Sequence, residues 1–211
     1  MQVNKVFLRG FPWCLLWLFS AGLMLLPGIS SAGTWSRVYG GEEEDVSRAL
    51  CQTDDGGYVF VGDILVAPGN GDYWIVKVDA SGDVEWEKSY GGAEEDRPYS
   101  VCACAGGGCL VVGETESFGD TEDIWMIRLD DGGNTVWQRR YDAGHDEVGR
   151  AVRQTADGGF IVAGSQDYRL ESGGVFEASW ILKITGTGGV VWEKTYEEMD
   201  PKTLPADIVE C

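Results

Sequence analysis

Residues 72–90 read DYWIVKVDASGDVEWEKSY, residues 123–141 read DIWMIRLDDGGNTVWQRRY, and residues 178–196 read ASWILKITGTGGVVWEKTY. Each stretch is a run of branched and aromatic residues, a short turn rich in Gly with Asp, Ser or Thr, and a second run that alternates apolar and polar. That is the pattern of two antiparallel strands joined by a tight hairpin. The copies are in register: Trp74, Trp125 and Trp180 recur at spacings of 51 and 55, and Trp35, Trp86, Trp137 and Trp192 at 51, 51 and 55. Every tryptophan beyond residue 33 belongs to one of these two series. Self-similarity at this period marks one supersecondary unit copied and stacked.

Upstream of each stretch lie two more strand signals. In the first copy they are SRALCQT and YVFVGD, separated by DDGG and followed by the longer variable loop APGNG. The unit is therefore a four-stranded antiparallel meander, and the third copy inserts four residues between its second and third strands. The second strand of each unit is nearly continuously apolar: Val59–Val61, Leu110–Val112, Ile161–Ala163. Both faces of such a sheet must be covered, and only neighbouring copies can cover them. In the fourth strand Trp and Tyr recur four apart, as in Trp86 and Tyr90, which places both rings on one face for packing between sheets. Beyond the N-terminal segment, Gly, Pro or Asp interrupts every window in which a helical apolar stripe could form.

The patterns W-x-[KR]-x-YGG, DGGY-x-x-x-G and W-[IM]-[VI]-[KR]-[VL]-D-x-x-G resemble those of secreted bacterial and archaeal β-propeller repeat proteins, over residues 33–211. The resemblance implies an all-β fold of propeller blades, with repeats at about 35–85, 86–136 and 137–191 and a partial one at 192–211. It leaves function open, because propellers host unrelated activities. Three blades fall short of the four to eight that close a ring. The fragments GTWSRVY (33–39) and ADIVEC (206–211) match a lone fourth strand and a lone first strand, so an incomplete ring is expected. Either the chain is a truncated relative of a longer propeller, which is the preferred expectation, or several arcs self-associate to complete a ring.

Residues 1–32 combine Lys5 and Arg9, the apolar run FPWCLLWLFSAGLMLLPG and the small residues Ser30, Ser31 and Ala32, the order of a secretory signal peptide. An uncleaved N-terminal anchor is the rival reading; either places the protein outside the cell or at its surface. Residues 33–211 carry 14 basic and all 35 acidic side chains, a formal charge of −21. That field repels nucleic acid and anionic lipid and leaves cations or basic partners as candidates. In an oxidising compartment Cys104 and Cys109, flanking the turn Ala105–Gly108, are expected to form a disulfide. The pairing of Cys51, Cys102 and Cys211 stays open.

The inter-unit loops GGEEEDV, GGAEEDR and AGHDEVG align Glu43 with Glu94 and His145, Glu44 with Glu95 and Asp146, and Asp45 with Asp96 and Glu147. They open on the same edge as the loops that hold Asp120, Glu122 and Asp123. Two readings compete for these carboxylates: a site for Ca²⁺ or a basic ligand, and caps on loop N–H groups, which is what recurrence at one position predicts. No cofactor is otherwise expected, and no nucleophile or general-base set is recognisable; His145 reads as a solvated loop residue. The turns DASGDVEW and DDGGNTVW resemble the tryptophan-docking motif of quinone-dependent dehydrogenase propellers, with Asp79 and Gly82 one residue closer than in that family. The expectation is an exported, non-catalytic binding or surface-interaction module. A fragment of a quinone-dependent or carbohydrate-active propeller enzyme is the alternative.

Overall fold

Six hairpins of one design build the chain. In each, one residue donates its N–H to the carbonyl four positions on and accepts from the N–H three positions on: Thr53 with Gly57 and Gly56, then the equivalent sets opening at Asp79, Cys104, Asp130, Thr155 and Thr185. The residue three positions on is always glycine, with φ between 72° and 102°. This is a three-residue loop ending in the left-handed region, which matches the right-handed twist of the strands it joins. The computed structural model describes residues 6–9, 34–41, 45–169 and 175–196, and among these it is all β.

The strands β1 (Val6–Arg9) and β2 (Ser36–Tyr39) pair antiparallel, so the segment read as a targeting region supplies one short strand. Three four-stranded antiparallel meanders follow. The first is β3 (Asp45–Gln52), β4 (Tyr58–Ala67), β5 (Asn70–Val78) and β6 (Val84–Tyr90). The second is β7 (Asp96–Ala103), β8 (Cys109–Thr115), β9 (Asp123–Leu129) and β10 (Thr135–Tyr141). The third is β11 (Asp146–Gln154), β12 (Phe160–Arg169), β13 (Val175–Ile184) and β14 (Val190–Tyr196). The sheets stack without closing on one another. One expectation is corrected: APGNG is not a long loop, because Ala67 still pairs with Asn70 and the strands run up to Pro68 and Gly69. Of the partial repeat expected at 192–211, residues 197–211, including the first-strand fragment 206–211, lie outside the described residues.

The apolar strands divide their side chains between two neighbours, as a continuous run requires. Phe60, Trp74, Val76 and Val78 face Tyr39 of β2, while Val59, Val61, Tyr73 and Ile75 face the second sheet. Val111, Trp125, Ile127 and Leu129 close that joint, and Leu110, Val112, Ile124 and Met126 turn the other way to meet Val152, Phe160, Val162, Trp180 and Leu182. Each fully buried aliphatic side chain contributes about 1.5–3 kcal/mol, and it does so only while the adjoining sheet is in place.

A polar latch repeats at each joint. Trp35 donates its indole N–H to the Ala80 carbonyl at 2.8 Å, Trp86 to Asp131 at 2.7 Å and Trp137 to Gly186 at 3.0 Å. Four residues on, the hydroxyls of Tyr39, Tyr90 and Tyr141 donate to the carbonyls of Gly82, Gly133 and Gly188 at 2.7, 3.0 and 2.8 Å. The fourth strand of one unit thus clamps the last hairpin of the next. A Cβ on Gly133 would stand 2.8 Å from the Trp86 indole, so glycine serves both the turn and the latch there. On β14 the same pair, Trp192 and Tyr196, is 41% and 51% exposed.

Candidate functional site

The recurring acids sit where each unit begins, and their first task is capping. Asp45 accepts the Gly41 N–H at 2.6 Å, Asp96 the Gly92 N–H at 2.9 Å and Glu147 the His145 N–H at 3.0 Å. All three residues are buried. Capping engages one oxygen of Asp45 and of Glu147, and the engaged Oδ2 of Asp96 also accepts the Ser117 hydroxyl at 2.8 Å. The second oxygen of each, Asp45 Oδ1, Asp96 Oδ1 and Glu147 Oε2, is buried without a hydrogen-bond partner. Recurrence therefore reflects a structural role that leaves one unsatisfied carboxylate oxygen per copy, and such groups are rare because their desolvation is costly.

Two further carboxylates reach these positions from the preceding sheet. Asp72 opens the aromatic part of β5 beside Asp96, and burial together with the Asp96 charge raises its pKa. Asp123, one repeat later, is completely buried at the start of β9 and meets Glu147. Both have an unpartnered Oδ1. Asp142 joins the later pair, and carboxylate oxygens of Asp123, Asp142 and Glu147 lie within 4.8 Å of one another. Arg140 is the cation ion-paired with this group, 3.0 Å from Asp123 and 3.6 Å from Asp142. Burial, opposed by the loop N–H bonds, pushes Glu147 up to about 7, and burial also raises Asp123 against the pull of Arg140. Asp142 stands where the earlier copies have Gly91 and Gly40, so among the described residues three acids meet at one joint only. Sequence reading counted Asp123 as a loop acid and passed over Asp72 and Asp142. The available signal was the Asp two residues before Trp74 and Trp125, replaced by Ala178 in the third copy.

The other acids of this edge are dispersed. Glu94 is exposed and donates its N–H to Ser117, and Glu95 pairs with Arg97. Arg97 also holds Glu114 at 2.9 Å and Glu116 at 3.6 Å. Asp146 is half-buried at the start of β11, and Glu43 and Glu44 lie outside the described residues. The loop between second and third strands does share the edge with the inter-unit connection: Glu116 donates its N–H to the Glu95 carbonyl at 2.9 Å, and Glu147 to the Glu122 carbonyl at 2.7 Å.

A second cluster carried no sequence signal. The first strand of each sheet bulges at one equivalent residue, between Ser47 and Ala49, between Pro98 and Ser100, and between Gly149 and Ala151. The bulged residues are Arg48, Tyr99 and Arg150, and they converge: the guanidinium carbons lie 5.1 and 6.0 Å from the Tyr99 ring centroid. Acids line the group, Asp63 on Arg48, Glu114 accepting the Tyr99 hydroxyl at 2.9 Å, and Glu177 on Arg150 at 3.1 Å. Burial, then the Glu114 charge, pushes the Tyr99 hydroxyl up to about 12 and keeps it a donor. Bulges re-aim side chains, and here all three meet along the first strands of the stacked sheets.

Other expectations resolve locally. Cys51, Cys102, Cys104 and Cys109 are free thiols. The expected Cys104–Cys109 bridge is not formed. Cys104 donates its loop N–H to the Gly108 carbonyl, which leaves Cys109 opposite Ala103, so Cys104 packs between the second and third sheets and Cys109 between the first and second. His145 is half-buried against the Tyr168 ring, centroids 4.4 Å apart, rather than solvated. Asp79 and Gly82 of the quinone-like motif are spent on a turn: Asp79 caps the N–H groups of Ser81 and Asp83, and Gly82 receives Tyr39. No protein-family model matches this sequence, and a search of curated proteins finds no relative.

Proposed function

We propose that the protein is an exported, non-catalytic repeat protein of the β-propeller type that works as a binding or surface-interaction module through the cluster of its bulged residues. The triple bulge carries this reading. Arg48, Tyr99 and Arg150 take no part in the latch that joins the sheets, yet each first strand gives up regular pairing to present them together. Two guanidinium groups over one phenol, ringed by Asp63, Glu114 and Glu177, combine a stacking face with paired donors and acceptors, the chemistry of a polar ligand site. The outward Trp192 and Tyr196 support self-association of such arcs into a closed ring, which light scattering on the eluting protein measures directly.

Arrays of oligosaccharides and of basic peptides, probed with the wild type and with Tyr99→Ala, test the binding reading. Saturable binding is expected, weakened about tenfold or more by the substitution with unchanged melting. Binding indifferent to Tyr99→Ala removes the bulge cluster from the reading. Hydrolysis of an arrayed sugar, or dye reduction on adding a quinone, replaces it with an enzyme.

A further inference from the structure

We infer that the joint between the second and third sheets is a Ca²⁺ site built from Asp123, Asp142 and Glu147. Three observations meet there. The carboxylate oxygens lie within 4.8 Å of one another, close enough to share one ion. Asp123 and Glu147 are both 0% exposed, and each has a buried oxygen without a partner, Oδ1 and Oε2. The remaining oxygens are already used in ways that leave these two for a ligand: Asp123 Oδ2 accepts from Arg140, and Glu147 Oε1 accepts the His145 N–H. With all three carboxylates ionised against one guanidinium the local charge is −2, which a divalent cation neutralises.

The donor set selects the ion. It is oxygen only, it draws on two sheets and an exposed loop rather than a rigid cage, and it includes no His or Cys, which favours Ca²⁺ over Zn²⁺ or copper. Three protein ligands leave the rest of the coordination shell to solvent, so the affinity belongs with the weak sites of extracellular modules, about 10⁻⁴–10⁻³ M. Asp123 belongs to β9, Asp142 follows β10 and Glu147 belongs to β11, so the ion would tie the end of one sheet to the start of the next. The preceding joint has the same pair, Asp72 and Asp96, with Gly91 in place of the third acid, and the Asp45 position has no earlier partner strand among the described residues. The inference stands apart from the bulge-cluster reading, since none of its ligands belongs to that cluster.

The test is thermal melting of the full chain in Ca²⁺ from 0.1 to 10 mM at fixed ionic strength, with Mg²⁺ as the comparison ion. The wild type is expected to gain about 3–6 °C at tenfold the dissociation constant. Asp142→Gly installs the residue found at the equivalent position of both earlier copies, so it should fold normally and lose most of the gain. Glu147→Gln keeps the oxygen that caps His145 and should lose it too. No Ca²⁺ response in the wild type would overturn the inference, as would a full response in both variants. An equal response to Mg²⁺ would mean general screening of an acidic chain and would overturn it as well.

Discussion

Replacing Gly133 by alanine separates the cost of the turn from the cost of the latch. Gly133 has φ 72°, and an added Cβ would meet three indole carbons of Trp86 at 2.8, 2.9 and 3.1 Å. The left-handed backbone costs an alanine about 1–2 kcal/mol, and forcing a methyl into packed surroundings about 1–3 more. Gly158 supplies the control: it holds the same place in the same type of loop at φ 79°, with nothing within 4 Å of its added Cβ. Gly158→Ala therefore carries only the backbone cost, and the difference, about 1–3 kcal/mol, is the latch. In a domain of this size that is a gap of roughly 2–12 °C between the two melting midpoints. In a Trp86→Ala background the gap should vanish, since the side chain that is struck has gone. Equal losses in the two single variants, or a gap that survives removal of Trp86, would refute the clamp.

Trp86→Ala should cost roughly 2–4 kcal/mol in urea unfolding, and the same change at Trp192, which meets no following hairpin among the described residues, under about 1 kcal/mol. Asp55 is held well below the ordinary carboxylate range, chiefly by its hydrogen bond from Lys77, then by Thr53 and the Gly57 N–H. A depressed folded-state pKa adds stability at neutral pH that is lost as pH falls below about 4. Asp55→Asn should flatten that acid limb by under about 1 kcal/mol, since the side chain is 57% exposed and solvent screens the pair. Cys102, Cys104 and Cys109 should resist an aromatic disulfide reagent in the native protein and react on unfolding, being 6%, 2% and 0% exposed. A Cys104–Cys109 bridge found by peptide mass mapping would contradict the packing.

The fold was legible because its period is carried by large residues. Trp35, Trp86 and Trp137 each do the same work against the next hairpin, and the continuous runs at Val59 and Leu110 face two sheets as their composition demands. The acids were half legible. Recurrence of Asp45, Asp96 and Glu147 pointed to caps, but the carboxylates that join two of them, Asp72 beside Asp96 and Asp123 beside Glu147, arrive from another sheet. The cysteine pairing failed for a register reason: Gly108 takes the place opposite Cys104, so the two sulfurs face different sheets. The bulges at Arg48, Tyr99 and Arg150 were invisible because a bulge imposes no residue type, and the middle copy holds a tyrosine where the other two hold arginine.

The tryptophan and tyrosine latches between sheets are electrically neutral, unlike the carboxylates that share the joints with them. Indole and phenol protons meet backbone carbonyls, the surrounding contact is hydrocarbon, and dissolved ions have nothing there to shield. The exposed acids repel one another away from those latches, and that repulsion is what salt relaxes. Brine should therefore leave those neutral contacts untouched while easing the strain of a crowded negative exterior, so the sheets tighten with salinity where ones riveted by ion pairs alone would loosen.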